Sequence, residues 1–439
     1  MSGIGTVTFE TIKNSSQRQS FDESVSGMLF DYGYRQYVFD ESPLMEHYFG
    51  SNQTVLVNNL SEAEALGISD SFMNGLPYYH IKKYYEYIGT DAKLYLTFAN
   101  CLRNGLPNFE IIEDIQQSVG GNMFQLGVWT EQFLWNKADD GGYGFTELLG
   151  SIQSCIDKLA GKNGNNNESF PLSVILFSNT SMLANNTSTS KIIDISSIPE
   201  AIGLGFYGIS VVLGQNGDDD THTIQESNIN MCPVGLLGYT MAILTSAYAE
   251  VSIGSVLDFD LNKNEDFLSP ELGFGSLTSD EKYYTPIEDI NRGRQNILVS
   301  KGYIIPVEYK AKEAQVYLCN DQTFTEGKLN TIANNRIINK CKRIVRSVLL
   351  PKIKEHWNID TSTGKMADVE ATSISSEIIT KIDEFMINRK NQSQLYGRAV
   401  SIQTTEDFLE TDEVEVSCTL IPKSCSSEIN FKDYYSTNG

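Results

Sequence analysis

The sequence predicts an α/β protein whose N-terminal part is a layered α/β domain and whose C-terminal part is an α+β domain, with extended β arms at both ends. Helical and strand-like patterns alternate between residues 25 and 256, which is typical of a largely parallel sheet. The pattern changes after Leu261, and a length of 439 residues exceeds what one hydrophobic core usually supports. We therefore expect an arm at 1–20, an α/β domain at 21–260, a connector with a helix at 261–300 and a C-terminal domain at 301–439.

The N-terminal elements follow from hydrophobic periodicity and from residues that start and stop helices. Alternating or β-branched runs predict strands at 6–12, 25–30, 54–57, 93–98, 123–129, 172–177 and 209–213. Apolar residues at helical spacing predict helices at 60–66, 77–88, 109–119, 146–160 and 234–251. The strand at 6–12, which contains Val7, Phe9 and Ile12, has no partner strand nearby in the sequence.

The C-terminal part is predicted to mix helices with antiparallel strands. Helices are expected at 286–300, within the basic stretch 327–354, and at 369–387. Strands are expected at 303–307, 315–318, 399–402, 414–420 and 428–431. Val414, Val416 and Cys418 alternate with polar residues, as in a strand with one buried face.

Composition and charge argue against several classes of protein. The chain carries 56 acidic and 33 basic residues, a formal net charge of -23, so nucleic-acid phosphates would be repelled. The residues after Met1 lack the pattern of a signal peptide, and the most apolar stretch, 234–251, is too short and polar for a membrane span. Seven scattered cysteines without a CxxC pair favour reduced, buried thiols.

The basic stretch at 327–354 stands out because it contains no Asp or Glu in an otherwise acidic chain. One face of its helical wheel is apolar and comprises Ile337, Cys341, Ile344, Val345 and Val348. The opposite face and its flank are basic and comprise Arg336, Lys340, Lys342, Arg343 and Arg346. We expect the apolar face to pack on a core and the basic face to meet either solvent or a negatively charged partner.

No motif in the sequence compels a catalytic, cofactor or metal site. Residues 203–208 match GxGxxG, but a strand rather than a helix is expected to follow, which argues against a dinucleotide site. Asp218, Asp219 and Asp220 lack the spacing of a calcium loop, so a solvated acidic loop is the simpler interpretation. We expect no cofactor and no enzymatic activity, while a metal-dependent α/β hydrolase using these acids stays open as an alternative.

Several segments occur in an order and spacing found in one protein family. Near the N-terminus these are residues 21–28 (FDESVSGM) and 60–68 (LSEAEALGI). In the C-terminal part they are residues 316–321 (VYLCND), 332–340 (IANNRIINK) and 414–422 (VEVSCTLIP). Together they resemble the tail sheath proteins of contractile phage tails and contractile injection systems over nearly the whole chain.

The resemblance implies a structural subunit that polymerises helically around an inner tube and contracts to drive the tube through a target cell envelope. Residues 21–260 would form the outer layer of the sheath, and residues 301–439 would face the tube. The terminal arms would donate strands to neighbouring subunits, through Val7, Phe9 and Ile12 and through Val414, Val416 and Cys418. The tube-binding residues would be Arg336, Lys340, Lys342, Arg343 and Arg346, because inner tubes of this family tend to present acidic residues outward.

The resemblance also implies partners and a location. The partners would be further copies of this chain, the inner tail tube protein, and baseplate and tail terminator proteins, without direct binding to nucleic acid or membrane. The protein would belong to a virion tail or injection particle that is assembled in the bacterial cytoplasm. A ring-forming tail terminator or baseplate adaptor with the same fold stays open as an alternative.

Overall fold

A computed structural model describes residues 21–31, 53–71, 75–103, 106–130, 145–161, 170–177, 198–227, 234–261, 273–276, 283–286, 292–308, 315–352, 357–388, 393–404, 413–423 and 429–436. Its strands are β1 (Ser26–Asp31), β2 (Thr54–Val57), β3 (Leu94–Ala99), β4 (Leu102–Arg103), β5 (Leu106–Pro107), β6 (Gln125–Thr130), β7 (Ser173–Phe177), β8 (Ile209–Val212), β9 (Gly273–Ser276), β10 (Tyr283–Pro286), β11 (Pro306–Glu308), β12 (Val316–Leu318), β13 (Leu395–Ile402), β14 (Glu413–Pro422) and β15 (Ile429–Ser436). Its α-helices are α1 (Leu60–Ala65), α2 (Leu76–Ile88), α3 (Ile111–Ser118), α4 (Phe145–Leu159), α5 (Asp219–Ser227), α6 (Leu237–Ser246), α7 (Arg292–Ser300), α8 (Ile332–Leu349) and α9 (Asp368–Ile382).

A six-stranded sheet in the order β2-β3-β1-β6-β7-β8 forms the centre of the N-terminal part. β3, β1, β6, β7 and β8 are parallel, and β2 pairs antiparallel with β3. Every residue of β1, β6, β7 and β8 is buried, which is typical of parallel strands covered on both faces. The predicted α/β fold with a largely parallel sheet is therefore confirmed.

Helix α6 occupies the most apolar stretch of the sequence and packs against this sheet. Its first nine residues are buried. It lies so close to β6 that an added Cβ at Gly127 would come within 2.4 Å of the Leu237 side chain. Across the described parts of the chain, no helix is long and apolar enough to cross a membrane.

The backbones of α2 and α6 also approach each other closely. An added Cβ at Gly238 would come within 2.3 Å of the His80 carbonyl oxygen. The His80 ring is fully buried, with Nε2 2.9 Å from the Val234 carbonyl oxygen and Nδ1 accepting from the Gly238 N–H at 3.3 Å. A ring that donates at one nitrogen and accepts at the other is neutral, in agreement with burial that lowers the pKa of His80 to about 3.

Two hydrophobic cores divide the described chain. The first core takes its side chains from residues 25–332, and the second takes them chiefly from residues 337–420. The division thus falls within α8 rather than at residue 301, where we expected the C-terminal domain to begin. The reason is local pairing, because Ile304 exchanges backbone hydrogen bonds with the end of β8 at N···O distances of 2.9 and 3.0 Å.

The C-terminal sheet has the order β13-β14-β15, and both pairs are antiparallel. Val414, Val416 and Cys418 are buried in the second core, as their alternation predicts. Our expectation that these residues supply a strand to a neighbouring subunit is corrected, because β14 is hydrogen-bonded along both of its edges within its own chain. The predicted N-terminal strand, with Val7, Phe9 and Ile12, lies outside the described residues.

Replacing Gly238 with Ala tests the close approach of α2 and α6. The new methyl group would meet backbone atoms of His80, so the helices must separate. We expect a loss of about 1–3 kcal/mol in the free energy of unfolding, measured by urea titration and circular dichroism.

Gly150→Ala in α4 is the matched control for this substitution. Apart from its chain neighbours and the backbone of its own helix, no atom of the described residues lies within 4 Å of an added Cβ at that position. The control should leave stability unchanged or raise it by up to about 1 kcal/mol, because Ala is the better helix former. Equal stabilities of the two variants would contradict the described packing.

Candidate functional site: the buried basic face of helix α8

Helix α8 begins at an N-terminus that is capped twice. The Thr331 hydroxyl accepts from the Asn334 N–H at 3.1 Å, which is a standard N-cap bond. The Asp321 carbonyl oxygen accepts from the Ile332 N–H at 2.7 Å, and its carboxylate accepts from the Ala333 N–H at 3.2 Å. A negative charge here also suits the positive end of the helix dipole.

The basic face of α8 is covered by protein rather than by solvent. Arg336, Lys340 and Arg343 are 0%, 1% and 0% exposed, whereas Lys342 and Arg346 are partly exposed. Our expectation that all five residues offer charge to an outside partner is therefore wrong for the three buried ones. The physical reason is that α8 lies between the two cores, so its apolar face packs in the second core and its basic face meets the first. A helical wheel separates the faces but does not identify what covers a polar one.

Arg336 binds backbone carbonyl groups at the end of α6. Its guanidinium donates to the carbonyl oxygens of Leu244, Ala247 and Tyr248 at 3.0, 2.9 and 3.3 Å, and to that of Glu23 at 3.1 Å. The C-terminal carbonyl groups of a helix carry partial negative charge, so they are suitable partners for a buried cation. Burial lowers the pKa of Arg336 to about 10, and the side chain stays charged at neutral pH.

Arg343 binds the loops that lead into two strands of the main sheet. It donates to the carbonyl oxygens of Gly121 and Met123, which precede β6. It also donates to the carbonyl oxygen of Pro171, which precedes β7, at 2.8 Å. Its guanidinium carbon lies 4.1 Å from the centre of the Phe124 ring, where a cation–π interaction is favourable. Burial lowers the pKa of Arg343 to about 9, which still leaves it protonated at neutral pH.

Lys340 forms a closed triangle with Glu23 and Gln394. Its Nζ lies 2.7 Å from Glu23 Oε2 and 2.9 Å from Gln394 Oε1. Gln394 Nε2 donates to Glu23 Oε1 at 2.9 Å. Each side chain therefore contacts the other two, and the exposed fractions of Glu23 and Gln394 are only 3% and 0%. A buried charge is tolerated only with this kind of pairing.

The segment that follows the N-terminal arm is held by both cores. The Phe21 ring packs on Phe385, with the ring centres 4.6 Å apart, at the π-helical turn that ends α9. The Glu23 carbonyl oxygen accepts from Arg336 and from Gln125 of β6, each at 3.1 Å. The three cations of α8 thus join the N-terminal segment, the main sheet and the start of β13 in one polar junction. The sequence analysis placed none of these three cations inside the protein.

The acidic residues at 218–220 start a helix. Asp218 is the N-cap of α5, and its Oδ1 accepts from the Thr221 N–H at 2.9 Å. Its Oδ2 accepts from Asn216 at 2.7 Å and lies 3.6 Å from Lys83 Nζ. Asp219 and Asp220 are exposed on the first turn. Among the described residues, no group of three or more His, Cys, Asp or Glu side chains is arranged to hold a metal ion.

Comparison with known proteins gives matches at the level of structure. No protein-family model and no curated protein matches the chain. The fold is similar to a chain from the contracted helical sheath of the anti-feeding prophage, with a TM-score of 0.53 and 11% identity over 99% of each chain. It is also similar to a chain from the six-fold symmetrised baseplate of that prophage, with a TM-score of 0.53 and 10% identity over 96% of each chain. The resemblance seen in the sequence is thus confirmed at the level of the fold, from end to end.

Replacing Arg343 with Met tests whether the buried cations hold the cores together. The variant keeps an apolar side chain of similar length but leaves the carbonyl groups of Gly121, Met123 and Pro171 without this donor. We expect a loss of about 3–5 kcal/mol in the free energy of unfolding, measured by urea titration.

Arg346→Met is the matched control on the same helix. Arg346 is partly exposed and lies over Phe170, with 5.2 Å between its guanidinium carbon and the ring centre. The control should cost no more than about 1 kcal/mol, which is the usual value of an exposed cation–π contact. A similar loss in both variants would show that burial of Arg343 has no special role.

Proposed function

We propose that this chain is the structural subunit of a contractile sheath that polymerises helically around an inner tube and contracts to drive the tube through a target cell envelope. The observation that carries the proposal is the end-to-end structural match, over 99% of each chain, with a sheath in its contracted state. A binding domain or an enzyme that shared only one layer of this fold would match over only part of its length. The proposed role is mechanical, with no catalytic residue and no cofactor.

Polymerisation would use strand exchange between the terminal arms of neighbouring subunits. Of the three strands in the C-terminal sheet, β14 is internal, while β13 and β15 are the edges among the described strands. An edge strand presents backbone groups to which another chain can add a strand. We propose that the N-terminal arm, through Val7, Phe9 and Ile12, adds to such an edge in a neighbouring copy.

The root of this arm is suited to such a connection. Phe21 is anchored on Phe385, and Glu23 is anchored in the polar junction, immediately after the residues that would cross to the neighbour. Tension along an exchanged arm would therefore act on both cores of the subunit together. A repeated, non-closing contact of this kind produces a helical filament.

The inner tube would be bound through the second core, with residues 21–260 in the outer layer. Of the five basic residues predicted for this contact, we retain Lys342 and Arg346, because both are partly exposed. Exposed ion pairs contribute roughly 0–1 kcal/mol each and weaken with salt, so many subunits together would hold the tube while each could release it. Further partners would be the baseplate and tail terminator proteins, within a virion tail or injection particle assembled in the bacterial cytoplasm.

A ring-forming baseplate or terminator adaptor is the second candidate. It is favoured by one observation, the match over 96% of each chain with a chain of a six-fold symmetrised baseplate. Both candidates use the same fold, but they differ in whether the contacts between copies close into a ring or continue as a helix. The alternative of a metal-dependent hydrolase has less support, because both oxygens of Asp218 are engaged within the chain.

Electron microscopy of the purified chain tests the proposed assembly. The full chain should form long striated tubes, whereas the adaptor predicts closed single rings. A variant lacking residues 1–20 should stay monomeric with unchanged helicity, because this deletion leaves the anchors at Phe21 and Glu23 in place.

Two results would contradict this account. Tubes formed by the variant lacking residues 1–20 would show that the N-terminal arm is not the link between copies. A full chain that stays monomeric at all concentrations would exclude both the sheath and the adaptor.

A further inference from the structure

The triangle of Lys340, Glu23 and Gln394 contains the groups that amide exchange between side chains requires. Lys340 supplies an amine, Gln394 supplies a carboxamide, and Glu23 supplies a carboxylate that contacts both. The amine lies 2.9 Å from the oxygen of the carboxamide, and the carboxylate lies 2.7 Å from the amine and 2.9 Å from the amide nitrogen. We propose that Lys340 and Gln394 form an intramolecular isopeptide bond, with Glu23 as the general base.

The proposed reaction balances without an oxidant or a second substrate. Glu23 removes one proton from the Lys340 ammonium, and the free amine attacks the Gln394 side-chain carbonyl carbon. Glu23 passes this proton to the Gln394 amide nitrogen and takes a second proton from the attacking nitrogen. The carbon–nitrogen bond of the original amide breaks, and ammonia leaves. The ammonia carries the second proton away as ammonium, so Glu23 ends as the carboxylate with which it began.

Proximity and burial favour this exchange. All three side chains are at least 95% buried, so water, the competing nucleophile and proton acceptor, has little access. Groups held in contact within a folded chain react as if at very high concentration, with effective molarities on the order of 10⁵ M or more for the best-aligned pairs. The folded chain thereby supplies the alignment that a free lysine and glutamine lack.

The surrounding charges also suit the product. Loss of the ammonium removes the partner that neutralises Glu23. Arg336 lies beside Glu23, donates to its carbonyl oxygen at 3.1 Å and retains its own positive charge. Glu250 faces the same junction, and burial raises the pKa of its carboxyl group. The carboxylate of Glu23 would thus keep a compensating cation after the bond has formed.

The bond would join α8 covalently to the residue before β13. It would close a loop between residues 340 and 394, which includes α9, and such a crosslink restricts the unfolded chain. The inference depends on the geometry of the triangle alone and would stand if the proposed sheath function failed.

Intact-mass spectrometry of the purified full-length chain, followed by tryptic peptide mapping, tests the proposal. We expect the chain to be lighter by one ammonia than its sequence requires, with a branched peptide that joins Lys340 to Gln394. A chain of full mass with separate peptides would overturn the proposal, as would an ammonia loss that maps to a succinimide at an Asn-Gly pair.

Two variants separate the role of Glu23 from a general effect on the fold. Glu23→Gln keeps the size of the side chain but removes the base, so the full mass and separate peptides should return. Lys352→Arg, in a more exposed ion pair with Glu377, should keep the branched peptide. A branched peptide that persists in Glu23→Gln would overturn the assignment of Glu23 as the base.

Discussion

Three basic side chains, each of them a cation while the chain folds, are shielded from water and determine how this chain is assembled. A buried cation is costly unless hydrogen-bond acceptors surround it, and removing one partner leaves an uncompensated charge. Arg336 finds its acceptors at the end of α6, Arg343 finds them at the starts of β6 and β7, and Lys340 finds them in Glu23 and Gln394. Helix α8 can therefore bury its basic face only when the main sheet, the N-terminal segment and the start of β13 are all in place.

This constraint predicts that the two hydrophobic cores act as one body. Each core could bury its own apolar side chains, and hydrophobic contacts alone would leave their relative orientation weakly specified. Directional bonds from one helix to several backbone carbonyl groups specify that orientation. In the proposed sheath, a subunit that transmits movement to its neighbours would require this rigidity, because a compliant joint between the cores would absorb the displacement.

The sequence predicts the elements well where periodicity is strong. The buried parallel strands, helix α6 and the apolar face of α8 all follow from runs of β-branched residues or from a 3.6-residue period. Helix α5 was interpreted as an acidic loop, because its residues are mostly polar and only the N-cap at Asp218 marks its start. Pro286 was expected to begin a helix, whereas it ends β10 and α7 begins at Arg292.

The junction could not be predicted, because its members are far apart in the sequence. No local pattern in the sequence joins Glu23, Lys340 and Gln394. Glu23 is separated from the other two by hundreds of residues, and Lys340 and Gln394 belong to different elements. One signal was present in α8 itself. Arg336, Lys340 and Arg343 are spaced at i, i+4 and i+7, which is the spacing of a buried stripe, and the partly exposed Lys342 and Arg346 lie outside it.

Unfolding monitored separately in each core tests the central claim most directly. Trp129 is buried in the first core and Trp357 packs against the second, so variants that retain one of them as the sole tryptophan report on each core. In each variant, the urea midpoint of the tryptophan fluorescence change should coincide with the urea midpoint of the far-ultraviolet circular dichroism change, as in a two-state transition. A Trp357 transition at a clearly different urea concentration from that of the circular dichroism would contradict the account, because it would show that the second core unfolds while the first remains intact.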